Sequence, residues 1–219
     1  HFNCKQRSKD MNKPLPTLDD WNFMRRTYTQ IVDKNQLWGN EDDAAAANDD
    51  DDDDTKKKHV DLVPPTLGYS IYPGIPIPPP YYAKLSPRKG RGLFASRTIH
   101  KGELVHDGTI NDVIFPSSLK FREYVFSLPR NFACDAAEWI WMQQLEKNGE
   151  YHILMGINIS SLMNSGGKDW GDSTSKLVNV LPENEYSGKF YAVRDILMGE
   201  EILTDYDVYY TKWSLVGLG

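Results

Sequence analysis

Residues 190–206 read Phe190-Tyr191-Ala192-Val193-Arg194-Asp195-Ile196-Leu197-Met198-Gly199-Glu200-Glu201-Ile202-Leu203-Thr204-Asp205-Tyr206. Runs rich in β-branched and aromatic residues, 189–195 and 200–204, flank a glycine, which predicts two short strands joined by a turn. The same outline occurs earlier in Arg88-Lys89-Gly90-Arg91-Gly92-Leu93-Phe94-Ala95-Ser96-Arg97-Thr98-Ile99-His100-Lys101-Gly102-Glu103. Both stretches carry aromatic-Ala-x-Arg-x-Ile followed by Gly-Glu, so 91–96 and 103–107 are expected as a second pair of strands.

Between and beside these stretches, 151–157 and 177–181 also read as strands. Two helices interrupt the pattern. Ser117 or Ser118 can cap one running to about Phe126, and Asp135 with Glu138 three residues on is expected to cap another ending near Gly149. The architecture is mainly β with an α insert. Upstream, Thr17 and Asp20 form a capping box, and Leu18, Trp21, Met24, Tyr28, Ile31 and Val32 recur at helical spacing. This amphipathic helix is expected to dock its apolar stripe on the main domain.

Four segments result. Residues 1–40 form an N-terminal helical extension, and 41–60 an acidic low-complexity loop containing Asp49 to Asp54, whose like charges favour solvation. Residues 61–80 form a proline-rich connector that lacks the donors for a helix or an interior strand, and 81–219 form the main domain.

Composition removes several function classes. With 40% hydrophobic residues and no apolar run near the 18 or so that a membrane helix needs, no membrane span is expected. Net charge is −6, with 10 basic against 14 acidic residues over 1–80 and 15 against 17 after it. No basic stripe appears, which disfavours direct nucleic-acid binding, and a basic protein tail suits this surface better. Two cysteines, Cys4 and Cys134, are too few for a disulfide framework or a four-ligand zinc site, so plain structural or free thiols and no metal are expected.

Three segments in order, 88–103, then Leu162-Met163-Asn164-Ser165 with Asn179 further on, then 190–206, resemble the SET domain family over about 81–219. The resemblance implies a SET-type β-clip with a pseudoknot. It also implies a protein-lysine N-methyltransferase that moves a methyl group from S-adenosylmethionine to a lysine of a protein substrate.

Site residues follow from the same resemblance. Gly90-Arg91-Gly92 matches the turn where the methionine part of the donor lies; glycines let a backbone approach a ligand closely, and Lys89 or Arg91 could face its carboxylate. Asn164 matches the family's Asn-His pair at the donor, with Ser165 standing where the histidine is expected. Tyr206 sits at the family's catalytic tyrosine, at the end of Glu-Glu-x-x-x-Asp-Tyr. Ring faces attract sulfonium and ammonium groups, so Trp139, Tyr209 and Tyr210, with Trp141 and Trp213 behind them, are candidates for the substrate channel. Ser165 and the altered stretch after it leave open a second reading, a SET-like binding or scaffold module without catalysis.

Overall fold

The computed structural model describes Cys4, residues 12–33, 79–87, 89–167 and 177–206, together with Ser214 and Gly217. The acidic loop, all but the last two residues of the proline-rich connector, Tyr209, Tyr210 and Trp213 lie outside the described residues.

Helix α1, Leu18–Tyr28, starts as its sequence requires: Thr17 accepts from the Asp20 N–H while the Asp20 carboxylate accepts from the Thr17 N–H at 2.7 Å. It continues into a wider turn, Thr29–Asp33. Its apolar stripe docks on the main domain. Trp21 is 1% exposed and stacks on Trp139 at 5.1 Å, and Tyr28 meets the Phe115 ring edge-on at 5.2 Å. Polar anchors fix the register: Arg25 Nε donates to the Ile157 carbonyl at 2.8 Å and Tyr28 Oη to that of Ile114 at 2.7 Å.

The rest is mostly short strands. β1 (Tyr81–Ser86) pairs antiparallel with β2 (Gly90–Ala95). β3 (Leu104–Asp107) leads through a one-turn helix α2 (Gly108–Asn111) into β4 (Asp112–Phe115). Helices α3 (Ser118–Ser127) and α4 (Arg130–Glu138) follow, then β5 (Ile140–Gln144) and β6 (Tyr151–Gly156). After a 3₁₀ turn, Ile159–Leu162, come β7 (Asn164–Ser165), β8 (Val180–Pro182), β9 (Lys189–Ala192) and β10 (Leu203–Thr204). β9 lies between β3 and β8, and β6 between β4 and β5, all antiparallel. β10 runs parallel to β7, Leu203 opposite Asn164 and Thr204 opposite Ser165. These small sheets share one apolar core that includes Leu93, Ile99, Val105, Ile153, Met155 and Ile202.

Two expectations need correction. The second helix starts at Arg130 and ends at Glu138, and the residues expected to continue it, Ile140–Gln144, are a strand paired with β6. Asp135 is no cap: its side chain is fully buried mid-helix and bonded to Arg91. The thiol expectation also fails, because Cys4 and Cys134 form a disulfide with Cα atoms 5.4 Å apart. A separation of 130 residues leaves no local spacing signal for such a bridge.

Candidate functional site

Tyr206 follows β10; the residue as a whole is 43% exposed, while its hydroxyl is buried and donates to the Met163 carbonyl at 2.6 Å. Burial of that hydroxyl end pushes the phenol up to about 12, so it stays a protonated donor across the neutral range. Met163 and Tyr206 line one cavity of about 240 Å³. Trp139, Trp141 and Phe190 supply aromatic wall, and His106, Asp112, Glu138, Ser160, Ser161 and Thr204 supply polar groups. Local sequence explains how they meet. Trp139 and Trp141 flank the α4–β5 junction, Phe190 belongs to β9, and Thr204 is the last residue of β10.

The residues matched to a donor site meet around Asn164 and Ser165, next along the chain from Met163 and outside the lining of that cavity. Asn164 Nδ2 donates to the Arg91 carbonyl and to Glu201 Oε1, each at 2.9 Å. Lys89 Nζ donates to the Ser165 carbonyl at 2.8 Å. Gly90 has φ +76, a left-handed conformation that side chains resist. A Cβ on Gly92 would stand 2.6 Å from Glu201 Oε1 and 2.9 Å from Asn164 Nδ2, so β2 passes here only because it is bare. Ser165 is 2% exposed, and its hydroxyl accepts from the Gly167 N–H at 3.1 Å.

Arg91 is placed differently from a carboxylate ligand. Its guanidinium is buried, donates to Asp135 Oδ2 at 2.9 Å and lies 5.1 Å from the Trp139 ring centre. Lys13 completes the cluster, 3.4 Å from Asp135 and 2.6 Å from Glu138. What sits at the donor-matched turn is therefore the Arg91 main chain, while its side chain braces the cavity wall. Asn179 is fully buried and bridges strands: Nδ2 donates to the Glu201 carbonyl at 2.8 Å, and Oδ1 accepts from the Leu203 N–H at 2.8 Å.

Sequence reasoning missed Glu201, His106 and Asp112. Glu201 also accepts from Ser86 Oγ at 2.8 Å, so it ties β1, β7 and the approach to β10 together; its signal was the doubled Glu200-Glu201. His106 Nε2 and Asp112 Oδ2 stand 3.3 Å apart, with Tyr81 Oη 3.4 Å from His106 Nδ1. Nothing local in the sequence marks that pair, since the turn of α2 brings it together.

A model of the SET domain matches residues 90–207, from the bare glycine turn through Tyr206. The chain belongs to the SET domain family. Solved structures of similar SET proteins include the methyltransferase domain of human histone-lysine N-methyltransferase SETMAR, at 17% identity and TM-score 0.38 over 60% of this chain and 46% of that one. The Neurospora SET domain protein DIM-5, a histone lysine methyltransferase, is 13% identical at TM-score 0.37, covering 57% of this chain and 51% of that one. Chaetomium thermophilum Polycomb Repressive Complex 2 bound to GSK126 gives 21% identity and TM-score 0.36, over 67% of this chain and 16% of that one. The SET chain described here thus spans between 16% and 51% of these three. A search of the curated proteins finds no match.

Proposed function

We propose that this SET domain is a protein-lysine N-methyltransferase, with the amine entering the cavity beside Tyr206 and the donor lying along Gly90, Gly92 and Asn164. The observation that carries the reading is the Met163–Asn164 step: the Met163 carbonyl holds the Tyr206 hydroxyl, and the next residue begins the cluster matched to the donor. In this reading the amine and the donor meet across that step, where an in-line displacement needs them close and aligned.

S-adenosylmethionine, when bound, supplies a sulfonium-activated methyl group. Gly92 is bare because Glu201 and Asn164 close over it, whereas Gly90 in its left-handed conformation opens the turn, and Lys89 offers an ammonium at the same turn for a carboxylate. The chain's own residues do the rest. Tyr206 keeps its proton and orients the entering amine. Trp139, Trp141 and Phe190 exclude water and present ring faces to cationic groups. Burial and a nearby sulfonium both favour the neutral amine that must attack. The substrate in this reading is a lysine-bearing protein segment, and a basic tail suits the net negative chain.

The test is Tyr206→Phe, assayed with labelled donor on a whole-cell extract and at matched folded fraction. Turnover should fall roughly 10²- to 10³-fold, the usual cost of removing one preorganised polar contact. Donor affinity, measured separately, should survive. Normal turnover in the variant removes Tyr206 from the mechanism. No labelled product from the parent on any extract protein favours the binding-module reading instead.

A further inference from the structure

Asp112 begins β4 in the cavity wall with its side chain 2% exposed, and its Oδ1 has no hydrogen-bond partner. Thr204 Oγ1, in the same wall, is likewise buried and unpartnered. Among the described residues no lysine or arginine pairs with Asp112; its one ion-pair neighbour is His106, 3.3 Å away at the other carboxylate oxygen. The remaining carboxylate in the wall, Glu138, is already held by Lys13.

A buried carboxylate with an open acceptor is costly unless something completes it. The fold has made room for this one. A Cβ on Gly108 would stand 2.2 Å from Asp112 Oδ2, and one on Gly156 would stand 3.3 Å from Oδ1. At about 240 Å³ the cavity is smaller than the sites that enclose drug-sized ligands, which suits one side chain. Its aromatic walls accept alkyl groups and cations alike, so they cannot by themselves tell a primary ammonium from a methylated one.

We propose that Asp112 receives the substrate's protonated side-chain nitrogen in this cavity, making the site selective for a primary alkylammonium; the proposal rests on the reading above for the entry of a lysine there. Oδ1 accepts an N–H that an uncharged isostere lacks and that a trimethylated nitrogen has lost. Asp112 thereby sets which side chains bind; the bound ammonium then leaves Asp112 and gives its proton to solvent, and only the neutral amine so formed attacks the methyl group beside Tyr206.

The test is binding, read from the fluorescence of the cavity-lining Trp139 and Trp141 in the whole chain. The probes are Nα-acetyl-lysine N-methylamide, its norleucine analogue and its Nε-trimethyl analogue. The lysine probe should bind about tenfold or more tighter than norleucine, as one charge-assisted hydrogen bond implies, and tighter than the trimethyl probe. Asp112→Asn should erase that preference while leaving norleucine affinity and melting temperature near the parent's. Equal affinity for lysine and norleucine in the parent overturns the proposal even if the variant fails to fold. A trimethyl probe that binds as tightly as lysine overturns it too, giving selection to the rings. Methyl transfer is assayed separately: its absence with the lysine preference intact counts against the methyltransferase reading and for Asp112, whereas transfer with an unchanged lysine affinity in Asp112→Asn counts against Asp112 alone.

Discussion

Ile99 and Ile196 face each other and exchange both main-chain hydrogen bonds, each at 2.9 Å. Around them the two matching stretches of sequence repeat each other's contacts. Ala95 N–H donates to the Glu200 carbonyl and Ala192 N–H to that of Glu103. Gly199 N–H donates to the Ala95 carbonyl, and Gly102 N–H to that of Ala192. Arg97 holds Glu103 as Arg194 holds Glu200. The twin pattern thus builds a nearly symmetric frame that delivers β10 to β7 and Tyr206 to the cavity.

The two glycines of this frame should respond alike to substitution. Gly102 and Gly199 have φ +83 and +82, and a Cβ on either meets no atom within 4 Å. Backbone strain is then the only cost of alanine, about 1 to 2 kcal/mol at each site. Chemical denaturation of Gly102→Ala and Gly199→Ala checks this; a difference of several kcal/mol between them would contradict the symmetry.

Acid should weaken the frame in a defined window. The Arg97 hydrogen bond holds the Glu103 carboxyl below its ordinary range. For Glu200, burial pushes the carboxyl up, but Arg194, the Leu197 N–H and Asn179 together bring it below its ordinary value. A carboxyl depressed in the folded state gives stability above its unfolded value, about 4.3, that is lost as pH falls through the folded one. Melting temperature should therefore drop below about pH 4.3. Arg194→Gln should make that drop shallower by removing part of the linkage, and an unchanged pH slope would show that the pair contributes nothing.

Breaking the buried ion pair should cost far more than breaking the surface pairs. Asp135→Asn leaves Arg91 and Lys13 buried without their shared carboxylate, a loss of about 3 to 5 kcal/mol. A urea midpoint near the parent's would disprove it. Replacing both partners by apolar residues, Arg91→Met with Asp135→Leu, should recover much of the loss, because no lone charge is then left at Asp135.

Reduction should loosen the N-terminal segment. Closing a loop of this length is worth up to about 5 kcal/mol in the chain-entropy account. Melting temperature should fall on adding reductant, and Cys134→Ser should reproduce the fall and abolish the response. A parent indifferent to reductant would mean that the bridge does not form. Such bridges persist in oxidising compartments and open in reducing ones.

Much of this was legible locally. Thr17 and Asp20 lie three residues apart and cap the helix that the spacing predicts, because capping is a contact within one turn. The strands 91–96, 103–107, 151–157 and 189–195 correspond to β2, β3, β6 and β9 within a few residues at each end. Asp135 misled because Asp-x-x-Glu mimics a helix start, whereas its partner Arg91 lies 44 residues away. The same distance problem hid the cavity. Tyr206 and Trp139 were marked by pattern and resemblance, while Thr204 joins the His106–Asp112 pair made by the α2 turn only when three sheets close together.

The Cys4–Cys134 bridge also changes what a cut in the chain would mean. A protease that severs any peptide bond between Lys5 and Ala133 yields two fragments that remain one molecule, still joined through sulfur. On a denaturing gel the nicked protein would migrate near full length without reductant and fall apart with it. The α1 helix, with its Trp21 stack on Trp139, would thus stay tethered at high local concentration after cleavage, able to dock again.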